Sequence, residues 1–168
     1  MNRSRKPWLI ALAGLAALAV AFPALAGQSE LSQIKRATAR FHSVEQAEAA
    51  GYERFLGCFD STEGGMGQHY VDTATIDDGV TDALRPEALV YQVDGPKLTL
   101  VAVEWVEVGA ADDPPPVLFD EPFHYNSSLG VWALHGWIWK DNPQGVFADW
   151  NPNVASCPRA EAVPAWLP

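Results

Sequence analysis

Apolar residues recur along the chain with two different periods, helical near the start and alternating further on. Over residues 29–41, Leu31, Ile34, Ala37, Thr38 and Phe41 fall at helical spacing behind Ser29 as a cap, which predicts a helix. Ser43-Val44-Glu45-Gln46 then has the form of a capping box. Ala47, Ala49 and Ala50 follow with high helix propensity, and Gly51 is a suitable stop, so a second short helix is expected. From residue 87 the pattern changes to strand chemistry. Residues 87–93 and 97–108 are two β-rich runs separated by Asp94-Gly95-Pro96, which predicts an antiparallel hairpin. A third run, residues 130–140, is dense in Trp and β-branched side chains. The acidic stretch 72–82 and Asp112-Asp113-Pro114-Pro115-Pro116 read as loops, and the Asn-Pro pairs after Lys140 predict an ordered but irregular tail. Helices first and strands later predict an α+β fold: N-terminal helices packed on a small antiparallel, barrel-like sheet.

The first 26 residues do not belong to that pattern. Arg3, Arg5 and Lys6 precede an apolar run that ends in Ala24-Leu25-Ala26, the form of an export signal with its cleavage site. The expected organisation is a signal peptide over 1–26 and a single globular domain over 27–168, secreted or periplasmic. Removing a segment with three basic and no acidic residues takes the formal charge from −10 to −13. A chain this acidic is a poor match for a phosphate backbone, so nucleic acid is excluded as a partner. No further apolar stretch is long enough to span a membrane.

Export also decides how the cysteines are read. Cys58 and Cys157 are the only two, and in an oxidising compartment they are expected to form a disulfide. In the chain-entropy model, closing a loop of roughly 100 residues destabilises the unfolded chain by about 4 to 5 kcal/mol.

Two polar residues interrupt apolar strand faces. Along Leu98, Leu100, Ala102, Glu104, Val106 and Val108, Glu104 is the single carboxylate, and His135 shares a face with Val131, Ala133, Trp137 and Trp139. A buried ionisable group is costly without a partner, so each needs a hydrogen-bonded neighbour or a metal. A satisfied core residue is the simpler explanation for either one alone. The four histidines, His42, His69, His124 and His135, come from four separate segments, as in a site assembled by a sheet from several strands and loops. No His-x-His, His-Glu-x-x-His or Cys-x-x-Cys supports this locally.

Other constellations point away from common chemistries. Glu63-Gly64-Gly65-Met66-Gly67 lacks both the dinucleotide-binding spacing and a following Lys-Ser/Thr, so its glycines are read as a sharp turn before Gln68-His69-Tyr70. There is no Gly-x-Ser-x-Gly nucleophile elbow. Trp132, Trp137, Trp139 and Trp150 suit stacking on a flat ligand or simple core packing.

The segments Gly65-Met66-Gly67-Gln68-His69-Tyr70, Pro86-Glu87-Ala88-Leu89, Val103-Glu104-Trp105 and the long stretch 134–152 together resemble an uncharacterised family of small secreted bacterial proteins. The resemblance covers residues 37–157 and implies export. It carries no activity.

These residues support an exported metal-binding protein with a histidine-rich Cu(II) or Zn(II) site. His69 and His135 are the first ligand candidates, His42 and His124 the next, and Glu104 is a ligand or an acceptor behind one. A lone Met outside the leader, Met66, argues against a thioether Cu(I) carrier. Two alternatives stand beside this reading: a metal-free binding module with an aromatic pocket, and a metal-dependent hydrolase or oxidase using Glu104 or Glu87 as general base. The expected partner is accordingly a metal ion or a small molecule.

Overall fold

A computed structural model describes residues 23–76 and 78–158 of the chain, with side chains from Glu30 onward. The expected signal segment, 1–26, lies outside the described residues except for 23–26. Those four open helix α1, Pro23–Thr38, which therefore starts upstream of the expected cap at Ser29. A 3-10 turn, Ala39–His42, leads to α2, Val44–Ala49. Ser43 caps α2 by accepting the Gln46 N–H at 3.3 Å, while its own hydroxyl donates to Glu45 at 2.7 Å. The reciprocal half of the box does not form, because the Ser43 N–H donates to the Arg40 carbonyl at 3.3 Å.

Among the described residues eight strands follow. The larger sheet contains β1 (Glu53–Ser61), β2 (Gly64–Val71), β3 (Ala88–Asp94), β4 (Lys97–Val108), β7 (His124–Asn126) and β8 (Val131–Gly136), in the order β1-β2-β3-β4-β8-β7 with every neighbour antiparallel. It curls into a half-barrel. A short hairpin, β5 (Val117–Leu118) with β6 (Glu121–Pro122), stands apart from it, and a single helical turn, α3 (Thr73–Ile76), interrupts the expected loop after β2. The β3–β4 hairpin turns through Gly95-Pro96 as predicted, with Asp94 facing Lys97.

Strands β1 and β2 depart from the sequence expectation. The glycine-rich segment is not a turn ahead of a strand but the first half of β2 itself. A Cβ at Gly64 would lie 2.5 Å from the Asn151 backbone, and one at Gly65 would lie 2.7 Å from the Val154 side chain. The glycines let the C-terminal tail cross directly over β2. There Gly65 and Asn151 exchange backbone hydrogen bonds of 3.2 and 3.1 Å. The tail is fixed further by the Cys58–Cys157 disulfide and by the Cys157 N–H, which donates to Asp60 at 2.8 Å.

Alternation places the two faces of the sheet in different surroundings. One face supplies Tyr70, Leu89, Tyr91, Leu100, Val103, Trp105 and Leu134 to a core cluster shared with Ile34, Phe41 and Ala47 of the helical segment. The Tyr91 hydroxyl donates to the Phe41 carbonyl at 2.7 Å, tying the 3-10 turn to β3. The other face carries His69, Glu104 and His135.

Two irregularities modify the faces expected from simple alternation. A register shift between Val90 and Tyr91 pairs Val90 with Ala102 but Tyr91 with Leu100, leaving Val101 as the bulged residue. Leu100 therefore joins the core cluster, with Leu98 packed against it, instead of sharing the face of Glu104. The run 130–140 is also shorter as a strand than expected. After Gly136 the chain leaves the sheet, Trp137 N–H bonds the Val146 carbonyl at 2.8 Å, and Trp139 packs against the main core instead of lying beside His135.

Candidate metal centre

Three central strands each contribute one ionisable side chain to a common point. Glu104 on β4 and His135 on β8 are directly paired across the ladder. His69 on β2 lies across β3, where its partner Val90 neighbours Ala88, the residue opposite Glu104. The methyl group of Ala88, between Val71 and Glu104 in the same cross-strand row, is short enough for the imidazole and the carboxylate to meet above the sheet.

The result is a buried His-Glu-His cluster. His69 Nε2 lies 3.4 Å from one Glu104 oxygen and His135 Nε2 lies 3.3 Å from the other. The donor atoms of all three residues fall within 4.8 Å of one another, and the group could hold a metal ion. Neither nitrogen of His135 makes an aligned hydrogen bond, and Nδ1 of His69 also lacks a partner. Buried polar atoms are normally paired, so ring nitrogens without a hydrogen bond on both histidines are unusual for a purely structural cluster. A divalent ion beside Glu104 would take one ring nitrogen from each imidazole, and two imidazoles with one carboxylate is a donor set that suits Zn(II) and Cu(II).

Ring packing supplies the rigidity that outer hydrogen bonds usually give a ligating imidazole. The His135 ring stacks on Trp137 at 5.8 Å with planes 10° apart, and the edge of Phe59 meets His69 at 5.4 Å. Gly136 contributes from the opposite face of β8. A Cβ there would lie 2.9 Å from the Trp105 indole, so glycine lets the large core side chain sit directly under the strand that presents His135.

Burial sets the protonation states without a metal. It raises the Glu104 carboxyl to about 8, with Asp149 and Glu87 adding smaller repulsions. It lowers His69 to about 4, and lowers His135 to about 3 with help from His69 and His124. Each group is driven toward its neutral form because charge is costly to bury.

The cluster forms the polar floor of a pocket of about 390 Å³ whose walls include Phe55, Phe59, Met66, Val106, Val131 and Ala133. His124 also lines this pocket, in its solvent-exposed part, with Nδ1 2.7 Å from Asp149. His42 lies elsewhere, its ring against Trp139 at 4.4 Å. It is not among the residues lining the pocket. Glu87 is buried, but its carboxylate accepts the Val106 N–H at 3.0 Å and lies outside the cluster. The sequence pattern gave no sign of Phe55, Phe59 or Asp149. The two phenylalanines belong to a strand broken by a register shift between Phe55 and Cys58, and Asp149 lies in a tail without periodicity.

Comparison with protein-family models, curated proteins and solved structures returns no match.

Proposed function

We propose that this chain is an exported metal-binding protein that holds Zn(II) or Cu(II) through His69, Glu104 and His135. The observation that carries the reading is the convergence of three buried donors, with ring nitrogens on both imidazoles left without a hydrogen bond. Export is supported by the leader-like first 26 residues and the disulfide, and the resemblance to small secreted bacterial proteins agrees with it. Among the described residues no helix is long and apolar enough to cross a membrane.

Thermal melting of untagged protein with and without Zn(II) or Cu(II), beside a Glu104→Gln variant, tests this reading. A rise in melting temperature in the parent protein that is lost in the variant supports it. Absence of any metal-dependent shift removes it and leaves the metal-free binding module.

A second reading, a metal-dependent hydrolase or oxidase, is favoured by one specific observation. Three protein ligands leave a coordination position for water or substrate, as in catalytic zinc sites, and here that position adjoins a pocket. With Glu104 in the ligand set and Glu87 bonded to the backbone, the proton-handling groups lining that pocket would be His124 and Asp149.

A further inference from the structure

We infer that the pocket over the His69–Glu104–His135 floor is a binding site for a small monoanionic oxyacid with a hydrocarbon body. Its acid group would complete the coordination of the metal and its body would lie against the apolar walls. The inference deepens the metal-binding reading and depends on it.

The charge count defines the head of the ligand. Two neutral imidazoles and one carboxylate leave a divalent ion with one net positive charge and a free coordination position. No Lys or Arg lines the pocket among the described residues, so the metal is the strong positive centre that an anion would meet inside. His124, at the exposed part, already faces Asp149. A single negative charge is neutralised by such a centre. A phosphate ester or other polyanion would be left with surplus charge beside Asp149 in a protein of formal net charge −10.

The walls define the body. Phe55, Phe59, Met66, Val106 and Val131 are apolar along their exposed lengths, and they come from four strands of a fixed sheet, so the space is largely preformed. At about 390 Å³ it is much larger than one water needs and lies within the range of small-molecule sites. A metal site that only stored or carried an ion would not require an apolar chamber of that size above the open position.

The test uses Cu(II)-loaded protein, with the visible spectrum of the metal reporting on its coordination, titrated in parallel with benzoate, acetate and benzamide. Benzoate and acetate share the donor and differ in the body, whereas benzoate and benzamide share the body and differ in charge. Benzoate is expected to bind at least about tenfold more tightly than acetate, because the phenyl group buries apolar surface. It should also exceed benzamide and shift the copper spectrum. Val131→Phe, which narrows the chamber four positions along β8 from His135, should keep Cu(II) and lose most of the benzoate advantage. Equal affinity for benzoate and acetate, or equal benzoate binding with and without copper, overturns the inference while leaving the metal site intact. Failure of the protein to take up Cu(II) or Zn(II) overturns the metal reading itself, and this inference with it.

Discussion

At the residue scale, the cluster combines a carboxylate and two imidazoles that burial drives toward neutrality from opposite sides. For the histidines the folded values lie below the ordinary 6.5, so their contribution to stability is present above 6.5 and is lost as pH falls toward 4 and 3. For Glu104, and for Glu87, which burial raises to about 7, the sign is reversed. Their contribution is present below the ordinary 4.5 and is lost as pH rises toward 8 and 7. Between 4.5 and 6.5 the two pairs offset one another. The metal-free protein, measured by denaturant unfolding in the presence of chelator, should be most stable in that interval and decline on both sides. Stability that rises steadily from pH 5 to 8 without metal would contradict this account. Glu104→Gln removes the alkaline loss due to that residue, so the chelated variant should outlast the parent at pH 8. His135→Ala separates the roles of a single imidazole. Both of its nitrogens lack aligned partners, so deletion costs packing against Trp137 but orphans no hydrogen-bond partner. Metal affinity should fall by more than the 10- to 100-fold typical of losing an outer partner, while chelated stability falls by no more than a buried truncation costs, about 2 to 5 kcal/mol. Unchanged affinity with a much lower chelated melting temperature would assign His135 to structure.

At the scale of elements, strand geometry explains both what the sequence disclosed and what it concealed. Glu104 and His135 were legible because each interrupts an apolar strand face, and β4 has the bounds that its alternation indicated. The two residues turned out to be direct ladder partners, a relation no local pattern contains because register is set by the whole sheet. His69 was found as one of four histidines and not from its strand, since β2 begins with glycines that lower strand propensity and serve a tail more than 80 positions away. Leu98 and Leu100 were placed on the wrong face because a one-residue bulge at Val101 reverses the alternation. Gly136 offers a direct test of how closely β8 is matched to the core. Gly136→Ala forces a methyl group against Trp105 and should cost about 1 to 3 kcal/mol in equilibrium unfolding. A neutral effect would show that Trp105 has room to move away.

At the scale of the whole molecule, the C-terminal tail and the sheet form one unit. The tail crosses β2 at Gly65, hydrogen-bonds β3 through Ala155 N–H to Gln92 at 3.2 Å, joins β1 through Cys157, and brings Asp149 and Trp150 to the pocket wall. Reducing the disulfide releases the end of this strap and the entropic restraint of its 99-residue span, for which the chain-entropy model gives at most about 4.7 kcal/mol. Reduced protein should melt well below oxidised protein, and two thiols that label freely in unreduced, unfolded protein would refute the pairing. Sheet and tail together place three buried donors where they could hold one ion. The most direct test is metal content per chain, by mass spectrometry, for untagged protein equilibrated with Zn(II) or Cu(II) and then dialysed. The account predicts about one ion per chain in the parent and essentially none in a His69→Ala, Glu104→Gln double variant that remains folded. Equal metal content in the two proteins, or none in the parent, would contradict it.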